Sequence, residues 1–117
     1  SLTPADEAGY VVRKAARRQI GSGLGGLVEE LLSPDLTDDF EMVHSTFAAH
    51  SRAGEIIQRP TQEVGFLISG KLDLSINGQT FTIHPGDSFR IRGEPHEWIN
   101  PYANPAVAIW VIAPPVY

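Results

Sequence analysis

The side chains best suited to chemistry lie between residues 54 and 100, where polar groups are interspersed with apolar ones. A few polar groups among apolar walls are the usual composition of a small-molecule site. The candidates for such a site are Arg59, Gln62, Glu63, His96, Trp98 and Asn100. The guanidinium of Arg59 could clamp a carboxylate or a phosphate through paired hydrogen bonds. These residues are therefore candidates to bind a small organic ligand; the alternative for Arg59 is a place at the rim, exposed or paired with Glu63.

Two of the candidates fall on stretches whose alternation predicts a direction for each side chain. Successive side chains of a strand point to opposite faces, so Glu63 and Leu67 share a face. By the same rule, His96 shares a face with Trp98 and Asn100 on a later strand. One aromatic and several polar side chains are thus expected on two defined strand faces.

The strands that carry these faces belong to a chain dominated by period-two patterns. Asn77-Gly78 joins two alternating stretches and predicts a type I′ hairpin, because both residues tolerate positive φ. The side chains expected on its inward face are Leu72, Leu74, Ile76, Phe81 and Ile83. Further strands are predicted at residues 10–13, 16–20, 27–32 (or a short helix there), 40–49, 55–58, 63–69, 88–92, 97–99 and 106–112. Many short strands separated by turns indicate an all-β sandwich or barrel.

A glycine-rich segment, residues 21–26, matches the G-x-G-x-x-G pattern of dinucleotide-binding proteins. That pattern needs a buried parallel strand before it and a helix after it. Pro34 interrupts the apolar stretch that follows, and the rest of the chain reads as antiparallel. We interpret the segment as a flexible loop.

Composition narrows the class of protein. The 117 residues suit one domain, and the absence of cysteine excludes a disulfide scaffold and cysteine-ligated zinc. The formal net charge of −5 disfavours direct binding to DNA, which depends on lysine and arginine. The longest apolar run, residues 106–113, is far shorter than the roughly 20 residues of a membrane helix. We expect a cytoplasmic protein without a membrane partner, and Ser1 in place of Met suggests an excised or processed fragment.

Short motifs in residues 54–100 resemble those of the cupin superfamily. Glu63 and Gly70 match the end of the family's first motif, and His96 and Asn100 match the end of its second. The resemblance implies a cupin barrel, also called a double-stranded β-helix or jelly roll, over residues 21–117, with residues 1–20 as N-terminal linker or arm strands. It also implies that the faces bearing Glu63 and His96 line the barrel interior, with Trp98 as a wall.

Metal-bearing cupins usually use two histidines and the glutamate of the first motif with the histidine of the second. Residues 56–62 of this chain contain no histidine, and Arg59 stands near the place of one ligand. Arginine stays protonated and cannot coordinate a cation. Glu63 and His96 alone remain, whereas such sites normally need three or more protein ligands. We expect no metal cofactor; a divalent ion, if bound, would use these two residues. A hydrogen bond between them is the structural alternative.

Over nearly its whole length the chain is similar to the C-terminal cupin sensor domain of bacterial Xre-type helix-turn-helix regulators. Residues 9–18, 26–34 and 110–117 carry this wider resemblance. It implies a non-enzymatic domain that binds a small-molecule effector and reaches DNA only through a separate N-terminal helix-turn-helix domain, absent from this chain. We expect a homodimer joined by strand or arm exchange. The alternatives are a small metal-dependent cupin enzyme of isomerase or dioxygenase type and a scaffold barrel without a ligand.

Overall fold

The regular structure consists of short β-strands and two single-turn 3₁₀ segments. The computed structural model describes residues 4–116, apart from the side chain of Leu24. The 3₁₀ segments are Lys14–Ala16 and Leu24–Gly26. The strands are β1 (Arg18–Ile20), β2 (Leu27–Leu31), β3 (Glu41–Phe47), β4 (Ser51–Arg52), β5 (Gln62–Ser69), β6 (Leu72–Ile76), β7 (Gln79–Ile83), β8 (Ser88–Arg92), β9 (His96–Asn100) and β10 (Ala106–Ala113). The outermost residues of the predicted arm (1–3) and of the predicted barrel (117) lie outside the described part.

Two antiparallel sheets enclose one core. The larger sheet has the order β1-β2-β3-β10-β5-β8, and the smaller has the order β4-β9-β6-β7. Phe47 of β3 and Trp98 of β9 meet across the core, with ring centroids 4.9 Å apart and an interplanar angle of 64°. Edge-to-face contact is a favoured geometry for aromatic rings. The predicted all-β, jelly-roll architecture is confirmed.

The central hairpin forms as predicted. Asn77 and Gly78 both have positive φ, 51° and 81°, as a type I′ turn requires. Leu72 and Leu74 are completely buried on the inward face of β6. Phe81 is paired with Leu74 and therefore shares the inward face, as predicted, although 41% of this residue is exposed. Phe81 lies on β7, the edge strand of the smaller sheet, where no further strand covers it.

The side chains of β5 alternate between the inward face of the larger sheet, which borders the cavity, and its outward face. Glu63 and Leu67 are buried, whereas Phe66 between them is 48% exposed. Gly65 is required on the inward face because a Cβ there would collide with the ring of Phe89. Phe89 in turn packs edge-to-face on Trp110, at 4.9 Å between centroids. Buried inward side chains and exposed outward side chains therefore alternate along β5.

Several predicted elements differ from the structure. Residues 10–13 form no strand, and 55–58 contribute only a single bridge between Ile57 and His96. Residues 27–31 form a strand rather than a helix because they pair with β3. The glycine-rich segment 21–26 is a loop with one 3₁₀ turn, as predicted, and its four glycines have positive φ. Among the described residues there is no helix with the length and apolarity needed to cross a membrane.

Candidate functional site

A small cavity lies between the two sheets and receives side chains from both. Its volume is ≈ 50 Å³. Its lining comprises Leu27, Glu29, Ser45, Phe47, Ile57, Arg59, Glu63, Leu74, His96, Trp98, Trp110 and Ile112. A wider depression of ≈ 520 Å³ shares Glu29, Arg59 and Trp98 with this lining and forms the mouth of the cavity. Another hollow, between residues 4–18 and the loop 33–36, contains none of the predicted site residues.

Glu63 is the buried acid of the cavity. It lies on β5 between Ile112 of β10 and Ile91 of β8, and it is only 4% exposed. Its oxygen Oε2 is buried and has no hydrogen-bond partner among the described residues. Leaving a buried polar atom unsatisfied costs about 1–3 kcal/mol. Such an atom is a site where a ligand's hydrogen-bond donor would lower the free energy.

His96 presents one ring nitrogen to the cavity side of β9. Its Nδ1 lies 3.0 Å from the backbone oxygen of Glu94. A carbonyl can only accept, so Nδ1 carries a proton and Nε2 is the acceptor of the neutral ring. Within the described part of the chain, Nε2 makes no hydrogen bond, and the bond between His96 and Glu63 that was the structural alternative does not form. The turn before His96 is held by the backbone N–H of Arg92, whose bond to the Glu94 carboxylate lowers the pKa of Glu94.

Arg59 is the basic group of the site. It is half-buried and lines both the cavity and its mouth. Its guanidinium makes no ion pair or hydrogen bond with any residue that the structure describes. The segment that carries it is held to β9 by two backbone bonds, from Ile57 N to His96 O at 2.7 Å and from His96 N to Ile57 O at 2.9 Å. This bridge places Arg59 beside the histidine strand.

Aromatic rings supply the apolar walls. Trp98 is 6% exposed and Trp110 is 9% exposed, and both face the cavity from opposite sheets. Phe47 packs edge-to-face on Trp98 and holds that wall in place. Trp98 thus lies on the inner side of β9, where the sequence predicts a wall of the interior.

Two predicted site residues do not reach the cavity. Gln62 lies on the outward face of β5 and is exposed, because it precedes the inward-facing Glu63 by one residue. Asn100 is completely buried, but its polar atoms are already used. Its Nδ2 donates to the backbone oxygens of Phe47 (3.2 Å) and Asn104 (3.0 Å), and its Oδ1 accepts from the backbone N–H of Tyr102 (3.1 Å). The structure therefore gives Asn100 the task of holding the loop after β9.

Two polar residues of the lining, Glu29 and Ser45, are not among the residues predicted from the sequence. Ser45 donates its hydroxyl to Oε2 of Glu29 at 3.4 Å. Glu29 lies on β2 between the inward-facing Leu27 and Leu31, so the alternation of residues 27–31 was the signal that could have revealed it. The ambiguity between helix and strand at this segment concealed that signal.

The donor set does not fit a metal ion. In the described part of the chain, no three or more His, Asp or Glu side chains come together in a group that could hold one. The cavity lining contains Glu29, Glu63 and His96, but these side chains do not converge on one point, and the guanidinium of Arg59 lies among them. A fixed positive charge in such a lining disfavours a bound cation.

Comparison with known sequences shows where this chain has relatives. Residues 43–112 match Cupin_2, the cupin domain family. The HTH-type transcriptional regulator PuuR of Escherichia coli (strain K12) is 33% identical over 60 residues, which cover 50% of this chain and 32% of the regulator. The chain thus spans about a third of the length of the curated relatives it matches.

Solved structures share the fold. The Cupin_2 domain of an XRE family transcriptional regulator from Enterobacter cloacae superposes with a TM-score of 0.67 at 26% identity, covering 78% of this chain and 99% of that one. Ectoine synthase from P. lautus gives a TM-score of 0.70 at 18% identity, covering 84% of this chain and 70% of the enzyme. The likeness to the enzyme concerns the fold alone. Barrels of this architecture therefore occur both in regulators and in enzymes, and the site must decide between them.

Proposed function

This chain belongs to the cupin family, and from that premise we propose that it is the small-molecule-sensing domain of a bacterial transcriptional regulator. The effector binds in the cavity between the two sheets. DNA is contacted by a separate helix-turn-helix domain of the same cytoplasmic regulator, in keeping with the formal charge of −5 on this chain.

The observation that carries this proposal is a set of unpartnered polar groups inside an aromatic-walled cavity. The structure gives no partner from the described residues to Oε2 of Glu63, to Nε2 of His96 or to the guanidinium of Arg59. Buried polar groups in native proteins are normally hydrogen-bonded, and exceptions call for an explanation. A ligand that supplies the missing partners explains all three without any chemical step.

A thermal-shift screen of small carboxylates, amines and sugars tests this proposal. A compound present at about 100 times its dissociation constant stabilises the native state by about 2.7 kcal/mol. Arg59→Ala and His96→Ala should reduce the shift, whereas Gln62→Ala, on the outward face beside Glu63, should leave it unchanged. If every observed shift survives both cavity substitutions, the cavity is not the sensing site.

A metal-dependent enzyme remains the second candidate, because the fold is shared with ectoine synthase. Against it stands the absence, among the described residues, of three His, Asp or Glu side chains grouped to hold a metal ion. Elemental analysis of the purified protein separates the two functions: we expect far less than one metal ion per chain. A stoichiometric metal that is lost in His96→Ala would favour the enzyme.

We further propose that the sensor is a homodimer joined through the outer face of the larger sheet. Val64, Phe66 and Ile68 on β5 are 44–48% exposed on that face. Across the register, Val111 of β10 lies between Val64 and Met42 of β3, which extends the apolar area over three strands. Large contiguous apolar patches are rare on monomers. The N-terminal strand pairs with β2 of its own chain, so the face rather than the arm is the joining surface.

Charge complementarity favours a second copy as the occupant. Arg90 and Arg92 are exposed on the outward face of β8, at one end of the larger sheet. Glu30 lies on the outward face of β2, towards the other end, where it pairs with Arg17 at 3.4 Å. A twofold axis parallel to the strands brings the basic β8 of one copy towards Glu30 of its partner.

Sedimentation of Phe66→Glu tests the dimer. The substitution buries a charge in the proposed interface, so we expect a monomer with nearly unchanged stability. Ile56→Glu is the control, since Ile56 is exposed (70%) but lies outside the larger sheet, and it should leave the dimer intact. A wild-type monomer at micromolar concentration would refute this arrangement.

A further inference from the structure

We infer that the ligand is a small amino carboxylate, held by its ammonium group at Glu63 and His96 and by its carboxylate at Arg59. The inference rests on the proposed sensing function and specifies the class of effector. Its basis is that groups of opposite charge, Glu63 and Arg59, line one cavity without pairing with each other. A molecule that carries both signs of charge supplies a partner to each.

The inner end of the site accepts hydrogen bonds. Oε2 of Glu63 is an unpartnered acceptor, and Nε2 of His96 is left as an acceptor once Nδ1 donates to the Glu94 carbonyl. Two acceptors at one place select a group with several N–H donors, and a primary ammonium has three. The indole rings of Trp98 and Trp110 belong to the same lining, and aromatic rings attract a cation placed over their faces. A second carboxylate would meet only acceptors here.

Arg59 is the hydrogen-bond donor at the outer end of the site, where the Glu29 carboxylate also lies. Arg59 lines both the cavity and its mouth and has no partner among the described residues. A guanidinium offers a planar fork of N–H donors that matches a carboxylate in bidentate geometry. Because Arg59 borders the mouth, the acidic end of the ligand is expected on the solvent side and the ammonium end inside.

The volumes agree with this orientation. The inner cavity of ≈ 50 Å³ has room for a group of about the size of one or two water molecules, which each take about 30 Å³ in the liquid. An ammonium with its first methylene is of this size. The rest of the ligand lies in the mouth of ≈ 520 Å³. The site should therefore select ligands by the distance between their ammonium and carboxylate groups.

Calorimetric titration of the purified chain with matched compounds tests the inference. The probes are unbranched amino carboxylates from glycine to 6-aminohexanoate, each compared with the alkylamine and the alkanoate of the same length. One charge-assisted hydrogen bond contributes about 1.5–3 kcal/mol, which corresponds to roughly ten- to hundredfold in affinity. At least one amino carboxylate should bind ten times more tightly than both of its one-charge analogues.

Two near-isosteric substitutions test the contacts at the two ends of the ligand separately. Arg59→Gln should reduce the affinity for the best amino carboxylate to that of the corresponding amine, and should leave the affinity for the amine unchanged. Glu63→Gln should weaken both compounds. Gln62→Glu, on the outward face, is the control that adds a charge without entering the cavity. Circular dichroism of each variant establishes that it is folded.

Other results overturn the inference in distinguishable ways. Equal affinity for an amino carboxylate and its amine, or binding that Arg59→Gln does not alter, removes the role of the carboxylate. A sugar or other uncharged compound whose binding depends on His96 refutes the amino carboxylate class but leaves the sensing function in place. If none of the amino carboxylates binds, the inference fails, and if the broader screen also finds nothing, the sensing function fails with it.

Discussion

Replacing Glu63 with methionine is expected to stabilise the protein in the absence of ligand. The substitution retains a long side chain of similar volume but removes the buried Oε2 atom, which has no partner in the structure. An unsatisfied buried polar atom costs about 1–3 kcal/mol, so the free energy of unfolding should rise by about that amount. The melting temperature should then increase by roughly 4 °C per kcal/mol for a domain of this length.

Urea unfolding followed by tryptophan fluorescence measures the effect, since Trp98 and Trp110 are both buried beside the site. Gln62→Met is the matched control, because it makes a comparable change at an exposed neighbouring position and should alter stability by less than about 0.5 kcal/mol. A loss of more than about 1 kcal/mol in Glu63→Met would refute the reasoning, because the carboxylate would then have a stabilising partner. A gain accompanied by lost ligand binding would identify Glu63 as a residue kept for function at the expense of stability.

Three further substitutions probe the scaffold that holds the site. Gly65→Ala should destabilise the fold by about 1–3 kcal/mol in urea unfolding, because its Cβ would collide with the Phe89 ring; unchanged stability would show that the ring moves aside. Asn100→Ala should cost about 3 kcal/mol, since it removes three hydrogen bonds of about 1 kcal/mol each, and a cost below 1 kcal/mol would contradict that network. Asn77→Val should cost about 1–2 kcal/mol at a φ of 51°, whereas Asn77→Gly should be nearly neutral in the same assay.

Local patterns were enough to predict the parts of the fold that depend on neighbouring residues. The turn at Asn77-Gly78 and the alternation on β5 are set by φ preferences and by the period of a strand, and both can be read from a few consecutive letters. The inward directions of Glu63 and His96 follow from the same period. The pairing of β2 with β3 depends instead on residues far apart in the chain, which explains why a helix remained an alternative for residues 27–32.

It was harder to predict from the sequence which residues belong to the site. The cupin motif identified Glu63 and His96, but it also suggested Asn100, whose amide is occupied by backbone partners that the motif does not reveal. Glu29 escaped notice because its place in the cavity follows from β2 lying beside β3 in the larger sheet. Sequence spacing thus indicates which side chains face inward, while the identity of their neighbours depends on the three-dimensional order of the strands.

Two backbone hydrogen bonds between Ile57 and His96 couple the motion of Arg59 to that of His96, because they join the segment that carries Arg59 to β9. Outside the ladder of a regular strand, this isolated bridge is what ties the segment carrying Arg59 to β9. Opening it would release one wall of the cavity and leave the amides of both residues free to exchange with solvent. The protection of these two amides from deuterium exchange therefore measures how often the empty site opens locally. This protection should increase when an effector binds in the cavity.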